Sequence, residues 1–214
     1  MADISYPVHR LLTNVERPFK STHIRSIINA THRSDVSMSS LFLCIQLGLR
    51  DSHWMVLQLI KVVLKSLSLI HVLVREGSSE RVLGYLAGNL DIFNINFRDS
   101  SGHPLGAILT PLIKKYAFYL QEKGALFRLT KRDWISQRQE SSVMIKTMFE
   151  PKDILQESAY LMRLLEAVLA CNWEQGDLGH VVTRQAFRII LADIMCLFQL
   201  LNECLVVILG MYYF

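Results

Sequence analysis

Residues 53–77 read HWMVLQLIKVVLKSLSLIHVLVREG, and this stretch decides the fold. Its polar positions are spaced by three, four, three and seven residues and so form one narrow stripe: Gln58, Lys61, Lys65, Ser68 and Arg75. The rest of the circumference is apolar. We therefore predict a helix from His53 to about Arg75, ended by Gly77 and buried on most sides in the middle of a helical stack. A membrane span is not favoured, because Lys61 and Lys65 would lie near the bilayer centre.

Two more helices are predicted on the N-terminal side of this stretch. Pro18 stands where a helix can begin, because proline is tolerated in a first helical turn. Lys20 would then lie in that first turn, with His23 three residues later on the same face. The Ser-Asp pair at 34–35 can cap the next helix, which runs to about Arg50. One face of this helix is predicted to join the core: Met38, Leu41, Phe42, Ile45 and Leu49.

Helical patterns also dominate the C-terminal side. The expected helices cover about 79–89, 111–127, 151–171 and 182–214, with loops at 91–102 and 172–179. Residues 129–149 are polar and basic and are interpreted as an extended connection. The helix after Pro151 should contribute these core side chains: Leu155, Tyr160, Leu164, Leu165 and Val168. Because no strand alternation and no long sequence repeat is evident, the predicted fold is an all-α stack of antiparallel helices.

The last twenty or so residues of the chain are apolar enough to resemble a membrane span. Gln199, Asn202 and Glu203 interrupt the apolar run. We therefore interpret this segment as a helix of the folded domain.

Positive charge is concentrated in two segments of the chain. The formal net charge is +4, yet residues 9–33 carry a net +4 and residues 114–138 a net +5, which leaves −5 for the remainder. Such asymmetry indicates an anionic partner. Nucleic acid ranks below a membrane surface, because the chain has no zinc-finger spacing, no RNA-binding aromatic signature and no long basic run.

Three side chains of the first basic segment could bind one multiply phosphorylated headgroup. Arg10 precedes the predicted second helix, whereas Lys20 and His23 belong to its beginning. Free N–H groups at a helix start favour phosphate oxygens, and a ligand with two or more phosphates could bridge both elements. The second basic segment supplies a rival membrane patch: Lys114, Lys115, Lys131 and Arg132. For either segment, a solvated charged surface is the plain alternative.

The residues do not support a metal, cofactor or catalytic site. The seven histidines form no His-x-x-x-His pair, so no metal is predicted. His71 and His180 lack the serine, cysteine or carboxylate pattern of a catalytic group, and a histidine on an apolar helix is expected to be a hydrogen-bonded core residue. The cysteines form no C-x-x-C pair and are interpreted as reduced core side chains of a cytosolic protein: Cys44, Cys171, Cys196 and Cys204.

Short motifs recur along nearly the whole chain in the order and spacing of one known family. They are PFKSTHI at 18–24, Trp54, KSL at 65–67 with His71 and REG at 75–77, Arg81 with YLA at 85–87, Tyr116 with YLQEK at 119–123, and Phe187-Arg188 before LFQLLN at 197–202. Each motif is weak alone. Together they resemble the ANTH domain of the CALM-type clathrin-assembly adaptors, and the REG and FQ-x-L-N stretches look more fungal than animal.

The resemblance implies a right-handed superhelical solenoid of antiparallel helices, like ENTH, ANTH and VHS domains, with residues 1–214 as one phosphoinositide-binding domain. It implies binding of phosphatidylinositol 4,5-bisphosphate at the inner face of the plasma membrane and clathrin coat assembly in endocytosis, without catalysis. The family's lipid motif is a basic residue, nine intervening residues, a basic residue, a spacer, a basic residue, and His or Tyr. Arg10, Lys20 and His23 match this motif. Thr22 stands where the third basic residue is expected, which predicts lower affinity or a relaxed headgroup preference.

The resemblance also suggests protein partners. In this family, clathrin and other endocytic proteins bind a long flexible tail, and this chain has neither an Asn-Pro-Phe motif nor an acidic-leucine clathrin box. Because Phe214 ends inside an apolar helix, we expect the chain to be a domain excised from a longer adaptor. Related domains can bind vesicle SNAREs through their later helices. A helical protein-interaction scaffold is therefore the second hypothesis, motivated by the apolar residues from Leu205 to Phe214.

Overall fold

The computed structural model describes residues 4–13, 15, 17–50, 56–95, 104–148, 150–173 and 179–213. These residues form nine α-helices and one short 3-10 helix, with no strand among them. The helices are α1 (Ser5–Leu11), α2 (Ser21–His32), α3 (Met38–Arg50), α4 (Val56–Glu76), α5 (Ser79–Gly88), α6 (Pro104–Thr130), α7 (Arg138–Lys146), α8 (Pro151–Leu169) and α9 (Val181–Tyr213), and the 3-10 helix is Leu90–Phe93.

The helices stack side by side, which confirms the predicted all-α solenoid. α4 packs against α3, α5, α6 and α9, so it lies at the centre of the stack. Leu64 of α4 lies beside Leu109 of α6 and Val182 of α9. Further along all three helices, His71 of α4 meets Asp193 of α9. α4, α6 and α9 therefore run in the same direction, while α5 returns between α4 and α6.

α4 confirms the prediction made from residues 53–77, of which 53–55 lie outside the described residues. Apolar side chains such as Leu67, Ile70 and Leu73 are fully buried. The middle of the polar stripe is buried as well, because Lys65 is only 3% exposed and Ser68, 1% exposed, donates a hydrogen bond to the Leu64 carbonyl. Lys65 and Ser68 therefore make contacts inside the protein instead of facing solvent.

A buried carboxylate, Asp193, joins the three parallel helices. His71 Nε2 lies 2.7 Å and Lys123 Nζ 2.9 Å from its Oδ2 atom, and Arg75 and Tyr119 also contact the carboxylate. Burial raises the pKa of Asp193, but Lys123, His71 and Arg75 outweigh burial and hold that pKa well below its ordinary value. Burial in turn lowers the pKa of His71 despite the neighbouring carboxylate. The expectation that His71 is a hydrogen-bonded core residue is confirmed.

The C-terminal end of α2 is fixed to the turn between α4 and α5. The Ser78 N–H donates to the Thr31 hydroxyl over 2.9 Å. Arg81 donates to the carbonyls of Thr31, at 2.7 Å, and Val36, at 2.5 Å. Gly77 permits this close approach, because a Cβ atom there would lie 2.8 Å from the Thr31 hydroxyl and 2.5 Å from the Leu73 carbonyl oxygen.

Two predicted helix starts on the N-terminal side differ from the structure. α2 begins at Ser21, so Pro18 lies outside it and Lys20 is its N-cap residue instead of part of its first turn. α3 begins at Met38, where Ser37 accepts a hydrogen bond from the Ser40 N–H. The Ser-Asp pair at 34–35 is not the cap, since the Asp35 carboxylate binds the Arg33 guanidinium. The predicted apolar face of α3 is buried as expected.

Four predictions on the C-terminal side need correction. α6 begins at Pro104, so Pro111 lies inside the helix, and the predicted loop at 91–102 contains the 3-10 helix Leu90–Phe93. The segment 129–149 is not extended throughout, because it contains α7, which packs against α9. Leu155 is 49% exposed and is not a core residue, because the buried face of α8 lies one position away: Ile154, Glu157, Leu161, Leu164 and Val168.

α9 has the length and hydropathy to cross a membrane between Val181 and Met211, and 17% of its most apolar window is buried. Length and composition alone do not separate such a helix from one that packs in a globular domain. Asp193 and its partners hold α9 against α4 and α6 through ion pairs that a span in lipid would break. The contacts therefore favour α9 as a helix of the solenoid.

Candidate functional site

α1 and α2 bring the predicted headgroup residues to one end of the stack. The rings of Tyr6 and His23 pack edge to face, with centroids 6.0 Å apart. Arg10 lies one turn after Tyr6 on the same face of α1, and Lys20 lies three residues before His23. Arg10 and Lys20 therefore each lie about one helical turn from the Tyr6–His23 contact. Both side chains are exposed, as is Thr22.

The start of α2 offers backbone donors as well as side chains. The Lys20 carbonyl accepts hydrogen bonds from the N–H groups of His23 and Ile24, each at 3.1 Å. No side chain caps this helix start. The N–H groups of Ser21 and Thr22 point out of the helix beside the Lys20 ammonium, and an anion there would meet both hydrogen-bond donors and the positive end of the helix dipole.

A buried lysine holds the segment between α1 and α2. Lys65 Nζ donates to the carbonyl oxygens of Thr13, at 2.9 Å, and Val15, at 2.6 Å. Burial, with a smaller effect of Lys61, lowers the pKa of Lys65. Hydrogen bonds from a charged donor are stronger than neutral ones, so Lys65 fixes this segment to the central helix. Spacing arguments missed this role, although a lysine on an otherwise apolar helix was the available signal.

A second anchor connects the same segment to α9. The Phe19 N–H donates to Gln185 Oε1 over 3.3 Å, and the Phe19 ring packs against the core. The start of α2 therefore has fixed positions relative to both α4 and α9. No sequence signal pointed to Gln185, because the contact joins residues 166 positions apart.

The second predicted patch is not one continuous surface. Lys114 and Lys115 are exposed early in α6, whereas Lys131 follows the end of that helix, about 23 Å further along its axis. Arg132 binds the Glu157 carboxylate and lies over the Trp134 ring, 5.8 Å from its centroid. The four residues of the predicted patch thus lie in two separate places, and one of the four, Arg132, is already paired with a carboxylate.

The N-terminal surface differs in its charges. Arg10, Arg17, Lys20 and Arg25 are exposed. Within the described ranges, no carboxylate forms a salt bridge with any of these four side chains. In the same ranges, no group of three His, Cys, Asp or Glu side chains could hold a metal ion. This surface therefore has the chemistry of an anion-binding site.

Comparisons with known proteins agree with this description. The model of the ANTH domain family matches residues 7–213. The chain is 28% identical over 195 residues to the phosphatidylinositol-binding clathrin assembly protein of Rattus norvegicus, which covers 91% of this chain and 29% of the rat protein. It is also 28% identical over 185 residues to the clathrin coat assembly protein AP180 of Mus musculus, covering 86% of this chain and 20% of that protein. The chain thus spans less than a third of the length of these relatives.

A solved structure shows the same fold. The ENTH domain of epsin-2, in complex with phosphatidylinositol 4,5-bisphosphate, superposes with a TM-score of 0.60 and 15% identity, covering 99% of this chain and 80% of that one. This likeness supports the solenoid independently of the sequence motifs.

Proposed function

Because the chain belongs to the ANTH domain family, we propose that it binds phosphatidylinositol 4,5-bisphosphate at the inner face of the plasma membrane, as the membrane-anchoring domain of an endocytic clathrin adaptor. The role is non-enzymatic: the domain holds the adaptor at coated pits, and coat assembly and the other endocytic partners are contributed through the rest of an adaptor. The relatives, a phosphatidylinositol-binding clathrin assembly protein and a clathrin coat assembly protein, support both the lipid and the clathrin coat.

The observation that carries the proposal is the exposed positive charge around the start of α2, with which no carboxylate of the described residues forms a salt bridge. Arg10 approaches from α1 and Lys20 from the N-cap, while the Tyr6–His23 contact holds the two elements together. One phosphate could be bound by Lys20 and the N–H groups of α2, and a second by Arg10. A headgroup with two ring phosphates matches this arrangement better than a lipid with one.

Co-sedimentation with phosphatidylcholine vesicles, with and without phosphatidylinositol 4,5-bisphosphate, tests the proposal. The triple variant R10A/K20A/H23A should lose the selective binding. Near an anionic bilayer each basic side chain contributes about 1 kcal/mol, so losing Arg10 and Lys20 should weaken binding roughly 30-fold.

The matched control removes the same formal charge from the rival patch. The variant K114A/K131A should bind the vesicles nearly as well as the unchanged chain, since one lysine lies on α6 and the other lies far away, just after the end of that helix. If this control loses binding while the triple variant retains it, the membrane surface is the second basic segment and the headgroup assignment is wrong.

A second candidate function is supported by the exposed face of α9. Its apolar side chains recur at spacings of four, three, seven and four residues and are 43–61% exposed: Leu191, Met195, Phe198, Leu205 and Leu209. This stripe is about 27 Å long, and an amphipathic partner helix could bury it. We propose that such a helix, of the kind found in vesicle SNAREs, binds there.

Substitutions of Leu205 on the stripe and of its neighbour Val206 test this candidate against a matched surface change. The variant L205S/V206S should weaken capture of a SNARE-motif peptide in a pull-down, because both side chains are more than half exposed. L43S, which removes a leucine of similar exposure from α3, should leave capture unchanged. Equal capture by all three proteins would exclude this surface.

A further inference from the structure

α9 begins with two exposed arginines, Arg184 and Arg188. Residues 180–192 contain no Asp or Glu, so the charge of this part of α9 is wholly positive. Within the part of the chain that the structure describes, neither guanidinium group forms a salt bridge. The two side chains thus lie on the surface, and no described carboxylate neutralises them.

The position of Arg188 relative to the start of α2 can be inferred from a contact already described. Gln185 Oε1 accepts the hydrogen bond from the Phe19 N–H. Arg188 lies three residues after Gln185, on the same face of α9, and side chains on a helix lean towards its N-terminus. The Arg188 side chain should therefore lean towards the turn of α9 that contacts Phe19. Lys20 follows Phe19 in the chain, and the Cα atoms of these two neighbours are about 3.8 Å apart.

The register of the helices gives the same placement independently. Thr31 of α2 meets Ser78, so Lys20, eleven residues before Thr31, lies level with Leu67 of α4. Asp193 contacts both His71 and Arg75, at separations of 122 and 118 residues. Residues of α9 that are 118 to 122 positions after Leu67, which are residues 185–189, therefore lie level with Leu67. Lys20 and Arg188 are therefore at the same height in the stack.

The family motif has a third basic residue at the position of Thr22, whose exposed hydroxyl carries no charge. We propose that Arg188 supplies the missing charge and binds a phosphate of the inositol phosphate headgroup together with Lys20. The planar guanidinium suits this task, because it can donate two parallel hydrogen bonds to one phosphate. The inference rests on the proposed function, since it assigns a further residue to the same site.

The test measures vesicle binding of the whole chain and its variants with phosphatidylinositol 4,5-bisphosphate as the probe. R188A should bind about tenfold more weakly, the effect of losing one charge-assisted contact. R138A removes the same charge from an exposed position on α7 and should bind normally. Adding T22K to R188A should restore binding by returning a basic residue to the motif position. Loss of equal size in R138A, or no rescue by T22K, would overturn the assignment.

Two further arms separate the possible failures. Titration with soluble inositol 1,4,5-trisphosphate distinguishes the headgroup from the bilayer surface: a loss with both probes supports the proposal, and a loss with vesicles alone overturns it. K20A reports on the proposed function itself. If K20A loses binding and R188A does not, only the role of Arg188 is refuted, whereas normal binding by K20A refutes the headgroup site. Unchanged thermal unfolding of each variant shows that the fold is retained.

Discussion

Replacing Asp193 by alanine should destabilise the domain more than any exposed substitution. The carboxylate is fully buried and contacts two cations, Lys123 and Arg75, as well as His71 and Tyr119. Without it, Lys123 would remain buried and unpaired, since its side chain is 4% exposed. Breaking a buried ion pair by removing one partner costs about 3–5 kcal/mol.

That loss is large compared with the stability of a domain, which is typically about 5–15 kcal/mol. For a chain of this length, each kcal/mol corresponds to roughly 2–4 °C in Tm, so D193A should unfold about 6–20 °C lower. Urea unfolding followed by circular dichroism at pH 7 measures the free energy directly.

Two comparisons make the measurement decisive. D91N, at an exposed carboxylate of the 3-10 helix, should unfold like the unchanged chain. The double variant D193L/K123M removes the Asp193 carboxylate and the Lys123 ammonium together. It should recover much of the stability, because an apolar replacement of a buried ion pair is often neutral. A loss below about 1 kcal/mol in D193A would refute the view that this carboxylate holds α4, α6 and α9 together.

Two further predictions follow from the buried groups. Because burial lowers the pKa of His71 below its ordinary 6.5, the unfolded chain binds a proton that the folded chain excludes, so stability should be full above pH 6.5 and fall as the pH drops below it. The free energy of unfolding should change by at most about 1.4 kcal/mol per pH unit, and this dependence should be weaker in H71Q. Urea unfolding at pH 7 and pH 5.5 measures it, and equal stability at the two pH values would disprove the prediction. K65M removes the hydrogen bonds to Thr13 and Val15, so it should lower the unfolding free energy by about 1.5–3 kcal/mol and weaken vesicle binding. K152M, at an exposed lysine, should do neither. Normal vesicle binding by K65M would show that the segment between α1 and α2 needs no anchor.

The helices that sequence predicted well are those whose own pattern specifies a buried face. α4 combines a long apolar circumference with Gly77, and α3 has five apolar residues at helical spacing. α7 was missed because only Ser141 and Ile145 of its nine residues are buried, so its stability comes from packing against α9 instead of from its own periodicity. The start of α6 was misplaced because Pro104 and Pro111 are equally compatible with a first helical turn, and sequence alone does not distinguish them.

The site shows the same division between local and distant information. The motif spacing predicted a site at Arg10, Lys20 and His23, and the fold brings their helices together at the Tyr6–His23 contact. The spacing carries no information about Lys65 or Gln185, whose contacts with the α1–α2 segment exist only after α4 and α9 have packed. Motif arguments can therefore propose the charges of a site, whereas the contacts that position its segments appear only in the folded structure.

α2 is held at both ends, by Lys65 and Gln185 before its first turn and by Arg81 after its last. Ordering the backbone of one flexible residue costs about 1–2 kcal/mol, and a site on such a fixed helix avoids most of that loss when a ligand binds. Calorimetry of ligand binding should accordingly show a small heat-capacity change, because binding covers some protein surface but folds no further segment of the chain. A site built in advance therefore loses little of its binding free energy to ordering the chain.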